Sequence, residues 1–293
     1  MPYKYQDIWH QRMRAMEKML RRKHRSEDTI TSYNYALSNM WRLLGKPKNP
    51  NDVPLKDYQT LEDLLKSTGH KENTIVTYLT TLKTFLKFCD YKYLDEIDIF
   101  AKPQMKEDRV FLEEWEIEKI RAVAHAMGPK FELVFSLGID NSLRRGDICN
   151  ITLEDAKTFL STGKSYVMCK GGRRRLVVMH YRTLESLRLY LEERQMLIQK
   201  RGLPEQEHLF LSKISGLHVA PETIAEWIEK VSTASGIYFR THDSRASFVR
   251  RHSRHNTKPE IVMMLMGHKS WDMTFNHYYG QDEMEMRDAQ NKF

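Results

Sequence analysis

Five short stretches in the second half of the chain carry arginine, lysine, histidine or tyrosine side chains that could do chemistry. Arginine offers planar charged donors to anionic oxygens, histidine transfers protons near neutral pH, and a tyrosine phenol can act as a nucleophile. The five stretches lie at residues 142–147, 170–172, 242–245, 266–268 and 276–280.

The spacing within these stretches favours particular side-chain geometry. Asp147 lies three residues after Arg144, so at a helix start its carboxylate can orient that guanidinium. His242 and Arg245 lie one helical turn apart and would share a helix face. Lys170 immediately precedes a Gly-Gly turn, where a hairpin tip could reach into a groove. Taken singly, each motif also fits a surface ion pair, a chance pattern or packing.

Taken together, the order and spacing of these motifs resemble the tyrosine recombinase (phage integrase) family. The resemblance covers about half of the chain, residues 138–280. The steps from Lys170 to His242 and from Arg245 to His268 have lengths typical of that family. The sequence Leu-Arg-Arg-Gly-Asp at residues 143–147 is similar to the first arginine motif of the family.

Two positions depart from the family pattern. Asp147 stands where the family usually carries glutamate, and Ser244 stands where it usually carries leucine. The first change keeps the negative charge beside the arginine. The second is expected to affect packing and not charge.

The resemblance implies cleavage and rejoining of duplex DNA through a 3′-phosphotyrosyl intermediate, and it assigns roles to five side chains besides the nucleophile. Arg144 and Arg245 would hold the non-bridging phosphate oxygens, with His268 as a further donor. Lys170 would protonate the departing 5′-oxygen. His242 is the candidate general acid or base, because the ordinary pKa of histidine lies near neutral pH.

The nucleophile falls at one of two adjacent positions. The family commonly places its tyrosine nine or ten residues after the histidine of the Gly-His pair. Nine residues after His268 is His277, ten is Tyr278 and eleven is Tyr279. The resemblance therefore favours Tyr278, with Tyr279 as the alternative.

The sequence carries no signature of a nucleotide or metal cofactor. Neither GxGxxG nor GxxxxGK[ST] occurs. His252 and His255 form an HxxH pair without a third ligand at a suitable spacing, and the three cysteines include no CxxC pair. We expect no cofactor and no metal, because the phosphotyrosyl bond would conserve the free energy needed for rejoining.

Helical periodicity in the first hundred residues predicts the elements of an N-terminal domain. Apolar stripes at helical spacing predict four helices, which would pack as a bundle: residues 8–20, 29–44, 58–67 and 75–86. The resemblance identifies this bundle with the helical (SAM-like) core-binding domain of the family. Residues 90–109 have no strong period and are interpreted as an interdomain linker. The predicted domains are 1–105, core-binding, and 106–293, catalytic.

The second domain is predicted to combine helices with one β-hairpin. Two runs rich in β-branched and aromatic residues, 165–169 and 176–179, predict strands joined by a tip of two glycines and three arginines. Helical patterns surround the hairpin at residues 112–126, 131–139, 183–200, 221–232, 242–252 and 259–266. The predicted fold class is therefore mainly α with a small sheet, α+β.

Charge indicates an anionic partner. The chain carries a net charge of +8, and the stretch from residue 12 to residue 25 holds a basic run with Glu17 as the only acid: Arg12, Arg14, Lys18, Arg21, Arg22, Lys23 and Arg25. We expect the partner to be double-stranded DNA at specific recombination sites. The resemblance further implies a homo-oligomer, a tetramer in the synapse, with residues 281–293 docking on a neighbouring protomer. No signal-peptide apolar region and no 18-residue apolar run occur, so we expect a cytoplasmic location and no membrane partner.

Two other functions share parts of this pattern. A type IB topoisomerase uses similar residues but relaxes supercoils without strand exchange, and a non-catalytic DNA-binding protein could keep the fold alone. The HxxR motif with a separate Gly-His pair favours the recombinase. Replacing Tyr278 with phenylalanine discriminates an enzyme from a binding protein, since only an enzyme loses a covalent DNA adduct.

Overall fold

The chain divides into two compact units, Met1–Asp108 and Arg109–Phe293. The computed structural model describes residues 7–97, 110–169, 172–212 and 215–267. Within these ranges the fold is mainly helical with one two-stranded antiparallel sheet, which confirms the predicted class. None of the helices in the described ranges is long and apolar enough to cross a bilayer.

The first unit is built from amphipathic helices whose apolar stripes form its core. Residues 7–97 contain five α-helices: α1 (Ile8–Arg22), α2 (Glu27–Leu43), α3 (Leu55–Gln59), α4 (Leu61–Ser67) and α5 (Glu72–Phe88). Asp7 and Ser26 begin α1 and α2 by accepting backbone N–H groups with their side chains. The stripes pack inward as predicted, with Leu37 and Phe85 almost fully buried.

The structure corrects two details of this unit. The predicted helix at 58–67 is two helices, α3 and α4, which meet at Thr60. The predicted linker at 90–109 begins too early, because Tyr91 and Ile97 are buried in the first core and the Tyr91 hydroxyl donates to the Val53 carbonyl at 3.1 Å. Residues 98–109 lie outside the described residues.

The second unit surrounds one buried helix. Its described elements are α6 (Glu114–Met127), α7 (Pro129–Ile139), α8 (Arg145–Cys149), α9 (Leu153–Thr162), β1 (Lys164–Cys169), β2 (Arg173–Val178), α10 (Tyr181–Arg201), α11 (Pro221–Ser235), α12 (Thr241–Arg254) and α13 (Pro259–Met266). Helix α7 contacts α6, α10, α11 and α12, and its side chains from Leu133 to Ile139 are buried. Helix α7 therefore provides a rigid support for the loop that follows it.

Within the second unit, the sequence prediction missed α9 and misplaced three arginines. Helix α9 begins at a capping box in which Thr152 and Asp155 satisfy each other's backbone N–H groups. The hairpin register pairs Cys169 with Arg173 and Val167 with Arg175. The three arginines assigned to the tip are therefore strand residues of β2. Arg175 alternates onto the same face as the buried Val177, whereas its two neighbours are exposed.

Candidate active site

The loop between α7 and α8 presents the first predicted arginine. Leu143 is fully buried, and its backbone N–H donates to the Leu137 carbonyl at 3.0 Å, which returns the chain to the core. Ser142 is also fully buried and takes a left-handed backbone conformation with φ of 52°. Asn141 donates to the Val178 carbonyl at 2.8 Å and ties the loop to β2. This loop leaves Arg144 at the N-cap of α8.

Arg144 is directed outward, with a buried carboxylate behind it. Its side chain is 36% exposed, whereas that of Asp147 is 1% exposed. The Asp147 Oδ2 accepts the Arg144 backbone N–H at 3.3 Å, and the same oxygen lies 3.9 Å from Arg144 Nη1. Asp147 therefore caps α8 and also offsets the charge of the guanidinium, as its spacing predicts.

The second predicted arginine connects three elements. Arg245, on α12, is 2% exposed. Its Nη1 donates to the Ser142 carbonyl, and its Nη2 donates to the Met266 carbonyl at 3.5 Å. Ser142 lies two residues before Arg144, so Arg245 fixes the loop that carries the first arginine. The Ser142 hydroxyl also donates to the Met266 sulfur, which closes α13 onto the same loop.

His242 lies in the first turn of α12, near these cations. His242 is exposed as a residue, but its imidazole ring is partly buried, and this partial burial lowers the pKa of His242. The positive charges of Arg245 and Arg145 lower the pKa further, and Asp243 opposes them. The neutral imidazole is consequently favoured at neutral pH. In this form one ring nitrogen can accept a proton.

A further arginine, which the sequence analysis did not single out, borders this group. Arg175 Nη1 donates to the Met266 carbonyl at 2.7 Å, the same oxygen that Arg245 approaches. Burial lowers the pKa of Arg175, and the nearby Asp147 carboxylate opposes this effect. Burial also raises the pKa of Cys169 to about 11, with Asp147 again contributing. The period-two alternation with Val177 is the sequence signal that could have identified Arg175 as inward-facing.

The structure brings three of the six predicted site residues together. Arg144 and Arg245 are linked through Ser142, and the charges of both arginines act on the pKa of His242. The other three predicted residues, together with the alternative nucleophile, lie outside the described residues: Lys170, His268, Tyr278 and Tyr279. Among the described residues, no group of three or more His, Cys, Asp or Glu side chains could hold a metal ion.

Comparison with known proteins places the chain in a family. The phage integrase family model matches residues 110–285, more than half of the chain. A tyrosine recombinase XerA of Pyrococcus furiosus is 23% identical over 256 residues, which span 85% of this chain and 82% of that protein. A tyrosine recombinase XerC of Bacillus subtilis is 25% identical over 231 residues, 74% of this chain and 73% of that protein.

Solved structures share the fold of this chain. A lambda integrase (75–356) dimer bound to a COC′ core site gives a TM-score of 0.67 at 20% identity, covering 92% of this chain and 94% of that one. A lambda integrase tetramer bound to a Holliday junction gives a TM-score of 0.66 at 18% identity, with coverage of 94% and 80%. With the family model matched across the unit that holds Arg144, His242 and Arg245, the chain belongs to the phage integrase family of tyrosine recombinases.

Proposed function

We propose that the chain is a site-specific DNA recombinase that cleaves and rejoins duplex DNA through a 3′-phosphotyrosyl intermediate. The observation that carries the proposal is the convergence of Arg144, His242 and Arg245 in a member of the phage integrase family. The relatives named tyrosine recombinases support strand cleavage and rejoining as the class of activity.

In the proposed cleavage step, the phenolic oxygen of Tyr278 attacks the scissile phosphorus and forms a phosphotyrosyl bond on the 3′ side. The bond between phosphorus and the 5′-oxygen breaks, and Lys170 gives that oxygen its proton. His242 accepts the phenolic proton, in keeping with the lowered pKa that favours its neutral form. Tyr279 is the alternative nucleophile. Rejoining reverses these transfers with a 5′-hydroxyl from another strand.

The two arginines contribute to this step in different ways. Arg144 is exposed enough to meet a phosphate without rearrangement of its loop. Arg245 is buried and holds the carbonyls of Ser142 and Met266, so it supplies fixed geometry as well as charge. Charge-assisted hydrogen bonds to non-bridging oxygens contribute about 1.5–3 kcal/mol each. His268 is proposed as a further donor to the same oxygens.

We propose that the reaction uses neither a metal ion nor ATP. The phosphotyrosyl bond conserves the free energy of the phosphodiester, so rejoining needs no other source. Adduct formation that continues at an unchanged rate in excess EDTA supports this proposal, and a rate restored only by Mg²⁺ contradicts it.

DNA binding is assigned to both units. We propose residues 1–105 as the core-binding domain and residues 106–293 as the catalytic domain. The lysine and arginine residues of α1 are exposed, and we propose that they contact phosphates. Arg21 would have to exchange its ion pairs with Glu17 and Glu27 to do so. Affinity that does not fall steeply with salt contradicts this assignment.

We propose that the chain binds specific duplex sites and assembles a tetramer when two sites pair. The lambda integrase dimer bound to a COC′ core site and the lambda integrase tetramer bound to a Holliday junction support this proposal. Residues 281–293, which lie outside the described residues, are proposed to dock on a neighbouring protomer. Their deletion should abolish recombination and spare binding to a single site. An intact recombination rate after deletion contradicts the docking proposal.

A suicide substrate tests the proposed function. Duplexes drawn from the DNA that flanks the gene are nicked near the cut, so that the freed 5′-end diffuses away and the covalent complex accumulates. The unmodified protein should form an adduct that survives denaturation, and Tyr278→Phe should abolish it while mobility-shift binding persists. Tyr279→Phe is the matched control, and adduct lost only in this variant reassigns the nucleophile. Binding without an adduct from the unmodified protein overturns the enzymatic proposal.

A further inference from the structure

We propose that Arg175 is a positioning residue that fixes the end of α13 and the guanidinium of Arg245 against the hairpin. This inference rests on the proposed function, since it assigns Arg245 to the phosphate. Arg175 itself is not proposed to touch the reacting atoms.

A shared acceptor carries the inference. The Met266 carbonyl, at the C-terminus of α13, accepts from Arg175 Nη1 at 2.7 Å and from Arg245 Nη2 at 3.5 Å. The shorter contact holds the oxygen, and the longer contact depends on where that oxygen lies. Movement of the Met266 carbonyl would therefore remove one of the acceptors that orient the Arg245 guanidinium.

The stem of Arg175 also packs against Gly267, the residue that ends α13. Gly267 has φ of 65°, and a Cβ at this position would lie 2.2 Å from Arg175 Cδ. The arginine stem therefore packs directly on a residue that has no side chain. Arg175 thus holds both the carbonyl before Gly267 and Gly267 itself, immediately before the chain reaches His268.

The burial of Arg175 argues against a merely solvated charge. Its Nε and Nη2 atoms are buried and have no hydrogen-bond partner among the described residues. The Asp147 Oδ1 is likewise buried and has no hydrogen-bond partner there. Burying a cation whose donors are not all paired costs free energy, so packing alone would favour an apolar side chain at this position. A positioning role accounts for the arginine, because its guanidinium donates to the Met266 carbonyl and the Asp147 carboxylate offsets its charge.

The two preceding arginines provide matched controls. Arg173 and Arg174 lie on the same strand with the same charge, but both are exposed. The Arg174 side chain donates to the Tyr166 carbonyl of its own hairpin at 3.4 Å. Replacing Arg174 removes one positive charge from the hairpin and leaves the contact between Arg175 and Met266 in place.

The test compares Arg175→Met, Arg175→Lys and Arg174→Met in single-turnover cleavage of the suicide duplex. DNA-binding titration supplies the competent fraction of each preparation, so a partly folded variant is not scored as slow. At saturating protein, Arg175→Met should cleave between about 10-fold and 100-fold more slowly than Arg174→Met. The protein concentration that gives half-saturation should match that of Arg174→Met. Arg175→Lys, which keeps a donor for the Met266 carbonyl, should recover part of the rate.

Two outcomes overturn the inference. One is an equal cleavage rate for Arg175→Met and Arg174→Met, and the other is an Arg175→Met defect seen only as a higher protein concentration at half-saturation. Failure of the proposed function is distinct, because the unmodified protein then forms no adduct at all. Hydrogen exchange at the Gly267 amide, which bonds to the Met264 carbonyl at 3.1 Å, decides the positioning role independently of cleavage. Faster exchange in Arg175→Met than in Arg174→Met supports the role, and equal exchange overturns it.

Discussion

Asp140 is the residue whose loss should most damage the support of the candidate site. It ends α7, directly before the loop that carries Arg144, and its side chain is 1% exposed. Both carboxylate oxygens accept from Arg121 Nη2, at 2.9 and 3.0 Å, and Oδ1 also accepts from Arg251 at 3.3 Å. Asp140→Ala would leave the buried guanidinium of Arg121 without its main counter-charge.

The expected cost follows from the burial of this pair. Removing one partner of a buried ion pair costs about 3–5 kcal/mol, because the other charge stays desolvated. Glu118 is the matched control, since it also approaches Arg121, at 3.8 Å, but its side chain is 47% exposed. Glu118→Ala should therefore cost no more than about 1 kcal/mol. Replacing Asp140 and Arg121 together by apolar residues should recover much of the loss.

Urea unfolding monitored by circular dichroism measures this difference. With a typical slope of about 2 kcal/mol per molar urea, Asp140→Ala should lower the midpoint of the second unit by roughly 1.5–2.5 M. The transition of the first unit should not move, because none of these contacts involves it. A shift for Asp140→Ala no larger than that for Glu118→Ala would refute the reasoning.

Three further predictions concern backbone strain, pH and thiol reactivity. Gly163→Ala should destabilise the second unit by ~1–2 kcal/mol from backbone strain alone, because Gly163 has a positive φ and open space around it. Gly267→Ala should cost more, because Gly267 also has a positive φ and would direct a Cβ into Arg175. Equal losses of unfolding free energy in urea would contradict this prediction. Burial lowers the folded-state pKa of four histidines in the second unit: His180, His218, His242 and His252. Because the unfolded chain therefore binds protons first as the pH falls, the contribution of these histidines to the unfolding free energy should be complete above about pH 6.5. This contribution should be lost as the pH is lowered through their folded-state pKa values. Identical urea midpoints at pH 7.5 and 5.5 would count against that linkage. The Cys169 thiol, with its pKa raised to about 11, should react with a disulfide reagent at pH 8 far more slowly in the native protein than in urea, and equal rates would show that it is not protected.

Most helices could be predicted because local signals define them. Helix α13 is bounded as predicted, since Pro259 begins it and Gly267, with φ of 65°, ends it. Helix α9 was missed because its apolar stripe is short, with Ala156 and Phe159 buried, and its start depends on a capping box. The break between α3 and α4 at Thr60 has no glycine or proline to announce it.

Residue type, order and spacing could predict which side chains belong to the candidate site, but not the contacts that hold them in place. Arg144, His242 and Arg245 were identified in this way, and the structure brings them together. Their catalytic roles, and those of the site residues outside the described ranges, stay predictions. The positions of Ser142 and Arg175 could not be predicted, because a carbonyl contact across 103 residues and a strand register are set by tertiary packing.

The central claim is that Arg144 stabilises negative charge on the scissile phosphate, and neutralising that phosphate tests it most directly. One non-bridging oxygen of a suicide duplex is replaced by an uncharged methyl group, and single-turnover adduct formation is compared with the normal phosphodiester. On the phosphodiester, Arg144→Ala should be about 100-fold to 1000-fold slower than the unmodified protein. On one diastereomer of the methylphosphonate, the two proteins should react at similar rates. An Arg144→Ala defect of equal size on both substrates would contradict the account.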